Sequence, residues 1–163
     1  AGAEMTAIDS NAAVIEKAEA EAAAYGTPIT FVHERVEDHV QSGEKYDVLL
    51  CLDVLEDVAD PTKFLWSLRQ LLKPQGVLIL SAINRTPKAW FVHIFLSEYL
   101  LRRTPRGHRK YHRFYTPAQL RKVLATHNMA LKTVQGMMFD PTLNIWRLTP
   151  APDTRYLATV TSL

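Results

Sequence analysis

Short apolar runs alternate with amphipathic segments over the first half of this chain. The runs lie at residues 5–8, 29–33, 46–52 and 77–81. Continuous apolar strands that alternate with helices are typical of a parallel sheet covered on both faces. The pattern therefore predicts an α/β fold.

Proline marks two of the predicted helix starts. Asp60 precedes Pro61 and Thr116 precedes Pro117, and each pair combines a capping side chain with a proline at the first helical position. A third helix is predicted over the Ala- and Glu-rich residues 11–25.

The pattern changes in the second half. Residues 89–101 predict a short helix that is apolar over most of its circumference, with His93, Ser97 and Glu98 on its narrow polar side. Two last strands are predicted at 131–134 and 156–160. The segment between them is predicted to be a loop because three prolines punctuate it, Pro141, Pro150 and Pro152.

Composition narrows the class of protein. The 163 residues predict one domain, and the values of 47% hydrophobic and 22% charged are ordinary for a globular protein. A net charge of +2 argues against a nucleic-acid partner. The single cysteine, Cys51, lies in an apolar run, so it predicts a small core residue and a reducing compartment. No apolar run is long enough to span a bilayer, and no targeting peptide is visible.

Three acids follow the strand at 46–52. Asp53, Glu56 and Asp57 are spaced to share one face of a helical turn, beyond the carboxyl end of a strand, where ligands bind in open α/β sheets. Their mutual repulsion would be relieved by a hard cation such as Mg²⁺. The alternative is a group of solvated acids near a helix N-terminus, stabilised by the helix dipole.

Two further strand ends carry polar residues. Asp9 ends the strand at 5–8, where an acid accepts hydrogen bonds from ribose hydroxyls in dinucleotide-binding folds, although it also suits capping of the next helix. Asn84 and Arg85 follow the strand at 77–81, so a substrate is predicted to face them.

The apolar helix at 89–101 precedes a basic cluster. An apolar element beside cations suits the interface of an anionic bilayer, so residues 90–113, from Trp90 to Arg113, are predicted to bind a membrane surface. The alternative is a lid helix whose aromatic residues pack on the active site. The cluster consists of Arg102, Arg103, Arg106, Arg109, Lys110 and Arg113.

Four passages carry a family resemblance. They are GAEMTAIDSN (2–11), YDVLLCLDVLEDVADP (46–61), LLKPQGVLILSAINRTPKAW (71–90) and EYLLRRTPRGHRKYHRFYTPAQL (98–120). With them the chain resembles the class I S-adenosylmethionine-dependent methyltransferases. Within that class it is similar to the ubiquinone-biosynthesis O-methyltransferases.

The resemblance implies a fold, a cofactor and a site. The fold is a Rossmann-like α/β sheet, mostly parallel with an antiparallel last strand. Asp9 would bind the ribose of S-adenosylmethionine, and Leu52 would contact the cofactor unless it is simply the end of a core strand. Asp53, Glu56 and Asp57 would bind Mg²⁺. The family has Glu, Glu and His at these three positions, so Asp57 stands where a histidine is expected, and no residue is assigned as the catalytic base.

The resemblance also implies a reaction and a location in the cell. The reaction is methyl transfer to a catechol hydroxyl of a polyprenylated ubiquinone precursor. An insertion at about residues 85–115 would associate with the matrix side of the mitochondrial inner membrane or, alternatively, with a bacterial cytoplasmic membrane. Other ubiquinone-biosynthesis proteins are expected partners.

One departure from the family leaves other functions open. The family's first strand and its Gly-rich loop are not in this chain, which predicts that residues 1–163 are a partial, N-terminally truncated methyltransferase domain. Two rivals follow. One is a non-catalytic, methyltransferase-like membrane scaffold, and the other is a class I methyltransferase that acts on a different small molecule.

Overall fold

The computed structural model of the protein describes residues 2–100, 105, 107, 109–140 and 142–163. Contacts within the chain divide it into two units, residues 1–44 and residues 45–163. The first unit contains two parallel strands, paired so that Asp9 lies opposite His33. Its elements are β1 (Thr6–Asp9), α1 (Ala12–Ala24), β2 (Thr30–His33) and α2 (Val36–His39), with a short 3₁₀ turn at Val40–Ser42.

The second unit is built on one sheet. In the described part of the chain its strands lie in the order β3–β4–β7–β5–β6. The elements are β3 (Tyr46–Cys51), α3 (Pro61–Leu71), β4 (Leu72–Ile83), α4 (Pro87–Trp90), α5 (Pro117–Ala125), β5 (Met129–Asp140), β6 (Ile145–Thr149) and β7 (Arg155–Ser162). A π-helical segment, Phe91–Leu100, continues α4.

The direction of the strands confirms the expected α/β fold with an antiparallel last strand. β3 and β4 pair in parallel, whereas β7 runs antiparallel to both β4 and β5. The sheet is therefore mixed rather than mostly parallel. The predicted loop before β7 is wrong in part, because Ile145–Thr149 forms β6 against β5. Asn144 turns the chain back with a φ of 54°, and the proline-flanked run was too short to identify as a strand.

The proline-marked helix starts are confirmed. The Oδ1 atom of Asp60 accepts hydrogen bonds from the backbone amides of Thr62 and Lys63, both at 3.0 Å. Thr116 and Gln119 form a reciprocal capping box at the start of α5. These side chains satisfy amides that have no partner inside the helix, so they fix where each helix begins.

The core of the second unit lies mainly on the face of β4 and β7 that carries Leu78, Leu80 and Val160. α3 and α5 contribute leucines to it at helical spacing, as their apolar stripes predict. Its fully buried side chains include Leu65, Leu78, Leu80, Leu120, Leu124, Tyr156 and Val160. The carboxyl end of β4 and the start of β7 are thereby held together, with Ile83 opposite Arg155.

The helix from Pro87 to Leu100 is anchored at its inner face. Ala89 and Ile94 from this helix pack with Ile83 and Phe114 in a buried apolar cluster. The carboxylate of the buried Glu98 accepts hydrogen bonds from backbone amides of the segment that follows. Among the described residues, no helix has the length and apolar character needed to cross a membrane.

Gly136 lies where β5 passes closest to the end of β6. A Cβ atom there would collide with the backbone carbonyl of Ala151 and the hydroxyl of Thr149. We expect Gly136→Ala to destabilise the protein by about 1–2 kcal/mol, because a backbone carbonyl has little room to move. Urea denaturation measures this cost. Gly76→Ala is the matched control, since its new Cβ would meet mainly the flexible side chain of Leu72; an equal cost for both variants would contradict the prediction.

Candidate active site

The acidic loop begins where β3 ends. Cys51 is the last residue of that strand, and its side chain is buried, as its apolar surroundings predict. Burial raises the pKa of the Cys51 thiol to about 12, with a smaller contribution from the charges of Glu56 and Asp53. The thiol is therefore an inert core group, and the loop that follows carries the chemistry.

Both carboxylate oxygens of Asp53 have partners. The Ser81 hydroxyl donates to Oδ1 at 2.8 Å, and the Arg155 guanidinium donates to Oδ2 at 2.6 Å. The Asp53 amide in turn donates to Ser81 Oγ at 2.8 Å. Asp53 adopts a φ of 58°, a left-handed conformation that Asp tolerates better than most residues. This turn directs the carboxylate toward β4 and β7.

Glu56 is buried, and its Oε2 atom has no hydrogen-bond partner within the described part of the chain. Desolvation raises the pKa of the Glu56 carboxyl, and the charge of Asp53 raises it further. A buried carboxyl with a raised pKa and an unused oxygen is typical of a group that exchanges protons with a ligand.

The three acids do not form a metal-binding group. Asp57 is exposed, while Glu56 is buried, and Asp53 is already paired with a guanidinium. Within the described ranges, no three or more His, Cys, Asp or Glu side chains are arranged to hold a metal ion. The predicted magnesium site on Asp53, Glu56 and Asp57 is therefore not supported, because Arg155 supplies the positive charge that Asp53 needs.

Arg155 connects the acidic loop to the hairpin of β5 and β6. Its guanidinium lies 5.3 Å from the centre of the Trp146 ring, a cation–π contact, and its Nε atom is buried with no partner among the described residues. Neither Arg155 nor Ser81 was predicted from the sequence as a site residue. A lone arginine at the start of an otherwise apolar strand was the available signal, whereas a serine inside a strand gives none.

The π-helical segment contributes His93. Its Nδ1 atom lies 3.2 Å from the guanidinium of Arg109, and its Nε2 atom is buried with no partner in the ranges that the structure describes. Burial lowers the pKa of His93 to about 4, and the positive charges of Arg155 and Arg109 lower it further, while Asp53 acts in the opposite direction. His93 therefore lies within electrostatic reach of the Asp53–Arg155 pair. Sequence spacing gave no hint of this, because the pairing is long-range.

Asn84 and Arg85 differ in what they contact. Asn84 is buried, its side-chain amide donates to the Pro152 carbonyl, and its Oδ1 atom has no partner. Arg85 donates to the Phe114 carbonyl at 2.7 Å and so fastens the segment after the helix. Asn84 thus remains a candidate for contact with a substrate, whereas Arg85 has a structural role.

The two predicted cofactor residues lie in different units. In the first unit, Asp9 Oδ1 accepts a hydrogen bond from the Asn11 amide at 2.8 Å, and Asn11 caps α1. In the second unit, Leu52 follows β3 and is 50% exposed. Val48 and Leu50 of β3 are exposed to a similar degree, so this exposure does not distinguish a cofactor contact from the end of a strand. The roles of both residues toward a cofactor stay predictions.

The predicted membrane segment presents aromatic rings to solvent. Phe95 stacks with Phe91 at 5.4 Å and with Tyr99 at 6.2 Å between ring centres, and all three are exposed. Outside the described residues lie three members of the basic cluster, Arg102, Arg103 and Arg106, and also His108. The apolar half of the prediction thus has a structural counterpart in an exposed aromatic row.

Comparison with known proteins identifies the family. A family profile described as "Methyltransferase domain" matches residues 1–134. The ubiquinone biosynthesis O-methyltransferase of Proteus mirabilis is 33% identical over 157 residues, which are 96% of this chain and 64% of that protein. The enzyme of the same name from Rickettsia conorii is 34% identical over 95% of this chain and 53% of its own length. The chain thus spans about half to two thirds of these relatives.

Solved structures share the fold. The magnesium protoporphyrin IX methyltransferase of Synechocystis, solved with SAH bound, superposes with a TM-score of 0.67 at 21% identity, covering 99% of this chain and 65% of its own. A methyltransferase from Clostridium acetobutylicum gives 0.68 at 13% identity, over 98% of this chain and 75% of its own. The resemblance to ubiquinone-biosynthesis O-methyltransferases is confirmed, and the chain belongs to the methyltransferase domain family.

Proposed function

We propose that the protein transfers a methyl group from S-adenosylmethionine to a catechol hydroxyl on a polyprenylated ring. The observation that carries this proposal is Glu56, a buried carboxyl with a raised pKa and an unpaired oxygen beyond the carboxyl end of β3. Support also comes from the relatives, which are named ubiquinone biosynthesis O-methyltransferases.

The chain has residues that suit the cofactor. S-adenosylmethionine, when bound, supplies a methyl group on a positively charged sulfur. Asp9 would accept hydrogen bonds from the ribose hydroxyls, because a carboxylate keeps accepting capacity beyond its one bond to the Asn11 amide. The half-exposed side chain of Leu52 would offer an apolar contact.

Glu56 would accept the proton of the reacting hydroxyl at Oε2. A phenol has a pKa of about 10, so an ordinary carboxylate is a weak base toward it. Burial raises the pKa of Glu56 and brings it closer to that of the phenol, which improves proton transfer. The fixed charge of Arg155 near this carboxylate would stabilise the phenolate that forms.

The exposed aromatic row suits a membrane-dissolved substrate. We infer that Phe91, Phe95 and Tyr99 lie in the interface of an anionic membrane, with the exposed Lys110 at its headgroups. The polyprenyl tail would then stay in the bilayer while the ring enters the site.

Vesicle flotation tests the membrane contact. We expect the double change Phe91→Ser and Phe95→Ser to reduce binding to vesicles of anionic phospholipid severalfold, because two exposed apolar rings are lost. Trp66→Ser is the matched control, since Trp66 is a similarly exposed aromatic residue on α3. Equal binding of both variants would remove the support for this surface.

Methyl transfer itself is measured with the full-length protein. The assay supplies S-adenosylmethionine and a catechol that carries one isoprenyl unit, and mass spectrometry follows the product. Formation of a mono-O-methylated ring is the expected result. Binding of S-adenosylmethionine without transfer to this ring would favour a different small-molecule substrate. Vesicle binding without any binding of S-adenosylmethionine would favour the non-catalytic scaffold.

A further inference from the structure

The hydrogen bond between Arg109 and His93 fixes the position of the ring proton. A guanidinium has only donors, so Nδ1 of His93 must be the acceptor in the 3.2 Å contact. In a neutral imidazole the other nitrogen then carries the proton. Nε2 of His93 is therefore an N–H donor.

That donor is buried and has no partner among the described residues. An unsatisfied buried donor is costly, so such a group in a native protein calls for an explanation. Five other described side-chain atoms share this state. Three of them belong to the acidic loop and to the paired ends of β4 and β7, namely Glu56 Oε2, Asn84 Oδ1 and Arg155 Nε. Two donors and two acceptors without partners would suit a ligand that carries both hydroxyl protons and oxygen lone pairs.

The surroundings of His93 keep the ring neutral. The charged groups that act on it from other parts of the fold are Arg155, Arg109 and Asp53, and the two arginines disfavour an added proton. Burial lowers the pKa of His93 to about 4. Nε2 thus stays a donor, and Nδ1 an acceptor, throughout the neutral range.

We propose that His93 donates a hydrogen bond from Nε2 to the catechol oxygen that is not methylated. The proposal rests on the catechol substrate proposed above and assigns a residue that selects it. The reacting oxygen must keep a lone pair for the methyl group, so a fixed donor is better placed on its neighbour. The donor at Nε2 is oriented by Arg109, which in turn is held through its backbone amide by Glu98 at 2.9 Å.

The hydrogen bond is tested by combining variants of the protein with variants of the ligand. The two ligands are a catechol with one isoprenyl unit and the matched phenol that lacks the second hydroxyl. Calorimetry measures their dissociation constants with the full-length protein saturated with S-adenosylhomocysteine. We expect the wild-type protein to bind the catechol about tenfold more tightly than the phenol. In His93→Leu this preference should vanish, because only the catechol loses a bond.

Two variants control for a nonspecific effect of the substitution on folding or ligand binding. His93→Gln places an amide donor near the position of Nε2 and should restore most of the preference for the catechol. His127→Leu removes another histidine with a buried, unpartnered Nε2, located after α5, and should leave the preference unchanged.

The outcomes separate this inference from the proposed function. A catechol preference that survives in His93→Leu, with methyl transfer intact in the wild type, would overturn the role of His93 alone. A preference lost in His93→Gln as fully as in His93→Leu would also overturn it. Absence of methyl transfer by the wild type would instead contradict the proposed function, whatever the dissociation constants.

Discussion

Replacing Glu56 with Gln is expected to stabilise the protein at neutral pH and yet reduce methyl transfer about a hundredfold. The loss follows from removing the group that accepts the hydroxyl proton, a contribution of at least this order in general-base catalysis. The gain in stability follows because Gln is uncharged, so burying it costs less than burying a carboxylate. A residue that only fills space in the core would not show this combination of higher stability and lower activity.

The stability difference between Glu56→Gln and the wild type should depend on pH. Burial raises the pKa of Glu56 in the folded state above its value in the unfolded state. The protonated form therefore favours folding, and this favourable contribution is lost as the pH rises from the unfolded pKa of about 4.3 through the folded pKa. The advantage of Glu56→Gln over the wild type should accordingly be present at pH 7 and disappear below about pH 4.

Urea denaturation at several pH values and a methyl-transfer assay check both halves. Asp47→Asn is the matched control, because Asp47 is an exposed acid on β3 that forms an exposed ion pair with Lys73 at 2.9 Å. Such a pair contributes little, so the control should change stability by less than about 1 kcal/mol and leave transfer unchanged. A Glu56→Gln protein that is less stable than the wild type at pH 7 would contradict the assignment.

Asp53→Asn is expected to cost about 3 kcal/mol of folding free energy. The change leaves the buried Arg155 without its hydrogen-bonded carboxylate, and losing one partner of a buried pair is expensive. Asn tolerates the left-handed backbone at this position, so little strain is added. The cost is set below the upper end for buried pairs because the Asp53 side chain is 47% exposed.

Removing the other partner of the ion pair, Arg155, should cost less folding free energy. Arg155→Met leaves Asp53 in contact with water and with the Ser81 hydroxyl, so we expect a loss of about 1–2 kcal/mol. The double variant should be no less stable than Arg155→Met alone, because the uncompensated guanidinium is gone. Urea denaturation of the three variants measures this order. Additive costs would show that the two side chains do not act as a pair.

The sequence was most informative where short-range chemistry sets the structure. Asp60 with Pro61, and Thr116 with Pro117, predicted two helix starts that the structure confirms. The apolar runs located β3 and β4, because a buried strand must be continuous in its hydrophobicity. β6 was missed, since a strand of five residues between prolines depends on its partner β5 rather than on its own pattern.

The acidic loop shows the same difference between local features and long-range contacts. By itself the sequence determined that Asp53, Glu56 and Asp57 follow a strand end, because strand and turn are local features. Only the tertiary structure decided what each does: Arg155, 102 positions away, neutralises Asp53, burial raises the pKa of Glu56, and Asp57 remains exposed. The same holds for His93, whose partner Arg109 and whose neighbour Arg155 come from other elements. Charge pairing and desolvation depend on distance through space, and sequence spacing does not encode that distance for residues on different elements.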